Sequence, residues 1–281
     1  MNLQTNRVIS TALNMLNKIK QVNFPFRTLM LSASFALIAA GCEGDGSGSS
    51  DSASGTTTGT GGSTARMTID GDFLYAISSS SEVQLFDITQ PADPLPVALV
   101  PIGRNIETLF PFGDFLLIGA ESGMFIMDNR DRRNPQFLSE FTHARARDPV
   151  VAHEGYAYVT LRSDGFGLAN QMDVVNINDI NNPTLERTIA MQSPSGLTVG
   201  VTDNGSFREE LYVCDDVAGI KIFDLTDNAN PVIVDTIRDV NCNDVIAANG
   251  ILYVITNNSL IQYDYTQSPP VRLSVVTESA G

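Results

Sequence analysis

The chain alternates short apolar runs with polar breaks, and five of these runs share one form. Each run has six residues that are mostly aliphatic or aromatic, and each follows a turn that contains Gly. The runs are FLYAIS (73–78), FLLIGA (115–120), YAYVTL (156–161), ELYVCD (210–215) and ILYVIT (251–256), after Gly71, Gly113, Gly155, Gly205 and Gly250. Apolar runs of this length between turn residues indicate β-strands, and Gly supplies the positive φ that tight hairpins need.

A further apolar run follows each of these strands and ends in Asp or Asn. The run ends are Asp87, Asp128, Asn176, Asp224 and Asp264, which are 41, 48, 48 and 40 residues apart. A Pro comes seven positions later in the first four units and six positions later in the last: Pro94, Pro135, Pro183, Pro231 and Pro270. Asp and Asn side chains accept backbone N–H groups in a following turn, and Pro, which lacks an N–H, suits the start of an edge strand.

With an apolar segment before each turn Gly, every unit holds four strands, which we label A to D. Five such units lie between about residues 66 and 281, and a repeat of about 40–45 residues is typical of propeller blades. One blade cannot bury both of its faces, but blades around an axis can. The sequence therefore predicts an all-β, five-bladed β-propeller of four-stranded antiparallel blades. A pair of β-sandwiches and a propeller completed by a second chain are the alternatives.

The motifs GYAYV (155–159) and GIKIFDLTDNANPVIV (219–234) resemble those of the LVIVD-repeat family of bacterial extracytoplasmic proteins. The resemblance covers about residues 66–281 and is clearest in units 3 to 5, although unit 3 has Asn176 where the other units have Asp. It implies a propeller and secretion. It implies no catalytic residues.

The first 41 residues predict a lipoprotein signal peptide. Arg27 precedes an apolar run from about Leu29 to Ala40, which is short for a bilayer span and ends in small residues, as before a cleavage site. The sequence Ala39-Ala40-Gly41-Cys42 resembles the lipobox of bacterial lipoproteins. That resemblance implies that Cys42 is lipidated, becomes the mature N-terminus and anchors the protein. An ordinary secretory signal and a retained membrane anchor are the alternatives.

Residues 42–65 predict a flexible tether, because this Gly/Ser/Thr-rich stretch has almost nothing to bury. A lipid, a tether and then a domain (residues 66–281) is the layout of a protein held out from a membrane. Glu43, directly after Cys42, is not the Asp that retains enterobacterial lipoproteins at the inner membrane. We therefore expect an extracytoplasmic location, with the outer membrane favoured.

Charge narrows the range of partners. The chain has a net charge of −15, and its first 41 residues hold four of the 17 basic residues and no acid, so 13 basic and 32 acidic residues remain, or −19. A surface this negative repels nucleic acid and anionic lipid and suits cations or basic partners. We expect no nucleic-acid binding, and contact with the membrane only through the anchor on Cys42.

Candidate ligand-binding residues lie in the D–A and B–C connections, which meet on one face of a propeller around the central channel. They are Arg104, Glu107, His143, Arg145, Arg147, Asp148, Arg162, Asp215, Asp216 and Asp244. Units 2 and 3 contribute mainly basic charge and units 4 and 5 acidic charge, so this face predicts a protein, peptide or zwitterionic ligand. In the alternative interpretation these are ordinary polar loops, and Asp148 and Asp244 only brace the start of strand A.

Catalysis is a weaker hypothesis. Glu107, Asp148 and Asp244 could form the pair of carboxylates that a hydrolase or lyase needs at the channel mouth, but the chain has no Trp on which sugars would stack. A Ca²⁺ site from Asp215, Asp216 and Asp244 is a further hypothesis, since Ca²⁺ prefers oxygen ligands. No other cofactor is predicted, and the two His are expected at opposite ends of one blade.

Cys214 and Cys242 predict a disulfide. They follow strand B of unit 4 and precede strand A of unit 5, on the same side of adjacent blades, and exported proteins permit disulfides. Two separate buried thiols are the alternative. Together these observations favour a monomeric, non-enzymatic binding module of the cell envelope, with a hydrolase or lyase and a structural envelope protein as alternatives.

Overall fold

Five four-stranded antiparallel sheets form a ring in the computed structural model, so the prediction of a five-bladed β-propeller is confirmed. The structure describes residues 63–142, 149–162, 170–203 and 207–277. The signal peptide, Cys42 and most of the tether lie outside this range. The described residues form no helix of the length and hydropathy needed to cross a membrane.

Each blade contains four consecutive strands in the order A-B-C-D. Blade 1 has β1 (Met67–Asp70), β2 (Phe73–Ile77), β3 (Glu82–Asp87) and β4 (Leu95–Pro101); blade 2 has β5 (Ile106–Phe112), β6 (Phe115–Ala120), β7 (Gly123–Asp128) and β8 (Gln136–Thr142); blade 3 has β9 (Val150–His153), β10 (Tyr156–Leu161), β11 (Gln171–Asn176) and β12 (Thr184–Ala190); blade 4 has β13 (Leu197–Asp203), β14 (Phe207–Cys214), β15 (Ile220–Asp224) and β16 (Val232–Ile237); blade 5 has β17 (Asp244–Ala248), β18 (Ile251–Ile255), β19 (Ser259–Asp264) and β20 (Val271–Thr277).

The repeated Asp or Asn acts as predicted in all five blades. Its Oδ1 atom accepts a hydrogen bond from the backbone N–H two residues later, at distances of 2.6 to 3.1 Å: Asp87 to Thr89, Asp128 to Arg130, Asn176 to Asn178, Asp224 to Thr226 and Asp264 to Thr266. This bond fixes the turn between strands C and D. The Asn of unit 3 makes the same bond, because an amide oxygen accepts as a carboxylate does.

A β-bulge lies at one equivalent position in every blade. The C–D register shifts between the two residues that precede the repeated Asp or Asn, as between Leu85 and Phe86 in blade 1 and between Ile222 and Phe223 in blade 4. A bulge increases the local twist of a strand pair. This bulge was not predicted from the sequence.

The predicted turn glycines have positive φ at Gly71, Gly113, Gly155 and Gly250, while Gly205 lies outside the described residues. Gly113 shows that the requirement is conformational. Its φ is +56°, and a Cβ built there would meet nothing within 4 Å. The left-handed backbone, and not lack of space, therefore favours Gly at this turn.

The B–C and D–A connections share one face of the propeller, which we call the upper face. Backbone hydrogen bonds join them, as from Glu121 N to Asn105 O in blade 2 and from Met191 N to Asn170 O in blade 3. The A–B and C–D turns form the lower face. The described candidate ligand-binding residues lie in these connections or directly beside them.

Candidate functional site

Six of the ten predicted ligand-binding residues fall within the described part of the chain: Arg104, Glu107, Arg162, Asp215, Asp216 and Asp244. His143, Arg145, Arg147 and Asp148 lie outside it, so the basic half of the predicted bipolar face is described only at Arg104 and Arg162. Arg104 is exposed and Arg162 partly buried. The acidic residues concentrate where blade 4 meets blade 5.

Cys214 and Cys242 come together at this junction. Their Cα atoms are 5.2 Å apart and the structure joins them as a disulfide, which links the end of β14 to the connection before β17. Asp216 pairs with Cys242 through an isolated β-bridge next to the disulfide. The B–C connection of blade 4 is therefore held against the connection into blade 5.

Asp215 is buried beside the disulfide and has a structural role there. Its Oδ1 atom accepts the backbone N–H groups of Gln192 at 2.9 Å and Ser193 at 2.8 Å, so it shapes the connection from blade 3 to blade 4. Asp215, Asp216 and Asp244 do not form a metal-binding cluster, because within the described ranges no three His, Cys, Asp or Glu side chains are placed to hold an ion. The geometry gives the predicted Ca²⁺ site no support.

Asp244 is covered by the chain itself. Thr64 Oγ1 donates a hydrogen bond to its Oδ2 atom, and Val245 N donates to its Oδ1 atom at 2.9 Å. Burial raises the pKa of the Asp244 carboxyl, while these two hydrogen bonds act to lower it. Gly196 lies so close that a Cβ there would come within 2.0 Å of the carboxylate. Asp244 is thus packed against its neighbours, and each of its two carboxylate oxygens already accepts a hydrogen bond.

The residues that cover Asp244 belong to a segment that crosses the upper face. In this crossing segment (residues 63–66), Ser63 Oγ accepts from Leu197 N at 2.7 Å and Ala65 O accepts from Leu109 N at 3.0 Å. Its four residues thereby contact the inner strands of blades 2, 4 and 5 before β1 begins. Residues 63–65 were predicted as the end of the tether, and in the structure Ser63 is buried.

Tyrosines of strand B join neighbouring blades on the lower face. Tyr75 of blade 1 donates to Asn129 Oδ1 of blade 2 at 3.0 Å, and Tyr158 of blade 3 donates to Asn228 Oδ1 of blade 4 at 2.9 Å. Burial raises the pKa of Tyr75 to about 12 and also raises that of Tyr158. Tyr212 takes the same position in blade 4, and its ring lies 5.9 Å from that of Tyr265 in blade 5.

The faces between blades 5 and 1 differ from the other four blade interfaces. We call the side of a blade turned toward the next blade in sequence its front face, and the opposite side its back face. Ile255, on the front face of blade 5, is 44% exposed, whereas Ile77 at the equivalent position of blade 1 is 5% exposed. Met67, on the back face of blade 1, is 46% exposed, whereas its equivalent in blade 2, Leu109, is 1% exposed.

The strand burial patterns show the same difference. In blades 2 and 3, strands β6 and β10 each have five consecutive buried residues, as expected for sheets covered on both faces. In blades 1 and 5, buried and more accessible residues alternate along β2 and β18, as in sheets covered on one face. The front face of blade 5 and the back face of blade 1, together called the open seam, are therefore apolar and accessible.

Two open pockets flank the B–C connection of blade 5, which contains Asn257 and Asn258. One pocket lies on the front side of the blade and includes Leu260 and Val276, and the other lies on the blade 4 side and includes Val240. None of the six described candidate residues lines either pocket. This connection carries no charge and was not among the predicted sites.

Comparisons with known proteins support the fold. No family model and no curated protein matches the chain, so the resemblance to LVIVD-repeat proteins stays a prediction. Among solved structures, the chain is similar to apo AztD from Citrobacter koseri, with a TM-score of 0.54 and 13% identity over 77% of this chain. The match spans 62% of the AztD chain. At this identity the likeness concerns the fold alone.

Proposed function

We propose that the chain is a lipid-anchored, extracytoplasmic β-propeller that acts as a non-enzymatic binding module for a protein or peptide of the cell envelope. The open seam is the observation that carries this proposal. Contiguous apolar surface on a soluble domain marks interaction sites, and in this propeller the apolar surface belongs to two facing blades. The lipobox-like sequence at Cys42 and the tether support the anchored location, with the outer membrane favoured.

Asp244 and Asp215 give catalysis no comparable support. Asp244, one of the carboxylates of the hydrolase or lyase hypothesis, accepts hydrogen bonds from Thr64 and Val245. Asp215 accepts hydrogen bonds from two backbone N–H groups. Both carboxylates thus bond to the protein's own groups, and neither lines either of the two pockets described above. Non-enzymatic binding is therefore the function that the geometry supports best.

Site-specific photo-cross-linking in intact cells tests the proposal. A photoreactive phenylalanine analogue replaces Ile69 on the back face of blade 1, which is 47% exposed, and Phe137 on the outer strand β8, which is 57% exposed, serves as the control position. We expect protein adducts from position 69 and few from position 137. The absence of adducts from position 69 would overturn the proposal and favour a structural envelope protein.

Turnover assays separate the enzymatic alternative. The whole protein and an Asp244→Asn variant are screened on glycan and lactone libraries. We expect no turnover by either. Turnover by the unaltered protein that the variant lacks would establish a hydrolase or lyase in place of the binding module.

A further inference from the structure

We propose that the open seam binds a second copy of this chain, so that the front face of blade 5 in each copy packs on the back face of blade 1 in the other. This inference rests on the proposed function, because it names the partner of the same surface. It replaces the monomer expected from the sequence. The blade interfaces within the chain point to this partner, because a contact between the two accessible faces would be one more interface of the same type.

The chain already packs a front face on a back face four times. Three apolar clusters join blade 1 to blade 2, blades 2, 3 and 4 to one another, and blade 4 to blade 5. Repetition of the sequence makes the remaining front face, on blade 5, equivalent to the front faces that are already packed. The remaining back face, on blade 1, is likewise equivalent to the packed back faces. The two accessible faces are therefore the two halves of one interface type.

Hydrogen bonds of strand B tyrosines occur on the lower face in two of the four packed interfaces, between blades 1 and 2 and between blades 3 and 4. Tyr75 Oη lies 3.1 Å from the backbone oxygen of Arg132, and Tyr158 Oη lies 3.1 Å from the backbone oxygen of Asn228. Each acceptor is four residues after the repeated Asp of the next blade. The tyrosine hydroxyl thus recognises the same point of the C–D turn in both interfaces.

Tyr253 is the equivalent tyrosine of blade 5. It lies in β18 on the front face, and within the described ranges its hydroxyl has no hydrogen-bond partner. The equivalent acceptor in blade 1, four residues after Asp87, is the backbone oxygen of Pro91, which is exposed. Tyr253 of one copy is therefore expected to donate to Pro91 O of the other.

The composition of the seam favours a copy over a basic partner. The front-face side chains of the two middle strands of blade 5 include Tyr253, Leu260 and Gln262, and those of blade 1 on the back face include Leu74 and Phe86. Apart from Glu82 at the start of β3 and Asp264 at the end of β19, the side chains of the middle strands on these two faces are uncharged, although the chain as a whole carries −15. A cationic partner would be attracted to the acidic surface elsewhere. The apolar central parts of the two faces instead suit each other.

Two copies can cover both accessible faces of each chain at the same time. A front-to-back contact is heterologous, and two such contacts related by a two-fold axis close the assembly without leaving a free face. Under the proposed lipid anchoring, both copies would also be confined to one membrane surface, which raises their effective concentration.

The test measures the mass of the whole protein in solution by analytical ultracentrifugation over a range of concentrations. Two variants each place a charge on one face: Ile69→Arg on the back face of blade 1 and Ile255→Arg on the front face of blade 5. Phe137→Arg adds the same charge at an exposed position away from the seam. We expect the unaltered protein and Phe137→Arg to reach twice the mass of one chain, and the two seam variants to remain single chains.

A mixture of the two seam variants gives the decisive result. In the mixed pair, blade 5 of the Ile69→Arg copy meets blade 1 of the Ile255→Arg copy, and both of these faces are intact, whereas the second contact carries both Arg residues. Since each variant alone has no intact contact, we expect the mixture to recover dimers that neither variant forms alone, although more weakly associated than those of the unaltered protein. Failure of the mixture to associate, while the unaltered protein dimerises, would overturn the proposed front-to-back arrangement.

Photo-cross-linking from position 253 of the unaltered background provides a readout that does not depend on the charged variants. We expect an adduct of two chains, joined through a peptide that contains Pro91. A cross-link within one chain, or a single-chain mass at all concentrations, would overturn the second copy as partner. If adducts from position 69 in cells then contain a different protein, the proposed function survives. If position 69 yields no adduct, the proposed function fails as well.

Discussion

Asp224 Oδ1 lies 2.6 Å from the backbone nitrogen of Thr226, at the start of the turn between β15 and β16. The same bond recurs at the equivalent place in every blade, so it is a structural element of the repeat. We expect Asp224→Ala to lower the free energy of unfolding by about 1 kcal/mol, because the turn N–H loses its acceptor.

The matched control for this change is Asp93→Ala, in the C–D turn of blade 1. Asp93 is exposed, and its side chain makes no hydrogen bond within the described part of the chain. Chemical denaturation of the two variants measures the difference. Equal losses of stability would show that the repeated Asp does not stabilise the turn.

Tyr158→Phe tests the contact between blades 3 and 4. The change removes a hydroxyl that donates to Asn228 and leaves the buried ring in place, so we expect a loss of about 1 kcal/mol. Tyr156→Phe, in the same strand, serves as the control because its hydroxyl has no hydrogen-bond partner among the described residues. Denaturation curves that coincide for the two variants would contradict the bond between the blades.

Asp244 makes stability depend on pH in a predictable direction. Burial raises the pKa of its carboxyl, so the folded state binds the proton more tightly than the unfolded state does. The stabilisation that this group contributes is therefore complete when the pH lies below the pKa of the carboxyl in the unfolded state, which is about 4. It is lost as the pH rises through the pKa of the same carboxyl in the folded state. We expect Asp244→Asn to be more stable than the unaltered protein at neutral pH, with the difference shrinking as pH approaches 4.

Thermal melts of both proteins across this pH range measure the effect. Comparison of the two proteins cancels the pH dependence that other acids give to both of them. Asp128 is one such acid, and its pKa is lowered to about 2 by its hydrogen bonds with Arg130. Asp93→Asn is the control for a change of net charge at an exposed site. A difference between Asp244→Asn and the unaltered protein that stays constant with pH would rule out the burial of a charged Asp244.

The disulfide between Cys214 and Cys242 gives a prediction that mass spectrometry decides. Unreduced, alkylated protein is expected to yield one linked pair of peptides containing both residues. Their sequence separation is 28, so the loop-entropy relation predicts that reduction lowers stability by about 3.6 kcal/mol. A Cys214→Ser, Cys242→Ser double variant should not respond to reductant. Recovery of two alkylated thiols would show that the bond does not form.

The anchor is tested at Cys42, which lies outside the described residues. We expect Cys42→Ser to prevent lipidation, so that the domain is released as soluble protein or remains an unprocessed precursor. Fractionation and intact mass measure both outcomes, and Cys242→Ser, which leaves the lipobox-like sequence unchanged, is the control. A Cys42→Ser protein that still fractionates with membranes in mature form would show that the anchor is not a lipid on this residue.

The fold was predictable because each repeat marks its own strands. The turn glycines, the Asp at the end of strand C and the Pro that follows it are local requirements of the backbone, so they appear in the sequence without knowledge of distant contacts. The bulge before Asp224 was not predictable, because the residues that form it, Ile222 and Phe223, are as apolar as their neighbours.

The candidate site was predicted less well, for a physical reason. Position in a connection indicates which face a side chain is on, but not what it contacts. Asp244 was assigned to the upper face, yet its partner Thr64 comes from a stretch whose composition is that of a tether. Tyr253 belongs to a repeat pattern, and the sequence does not show that the blade beyond it leaves its face accessible. Both facts depend on how the ring is assembled.

The crossing segment determines where mechanical load enters the domain. A pull on the chain ahead of Ser63 acts first on hydrogen bonds to the inner strands of blades 4, 5 and 2, and not on an outer strand that could be peeled from its sheet. Tension transmitted along a tether would therefore be shared among several blades near the axis. The outer strands would bear little of it, so their surfaces would keep their shape while the domain is held under force.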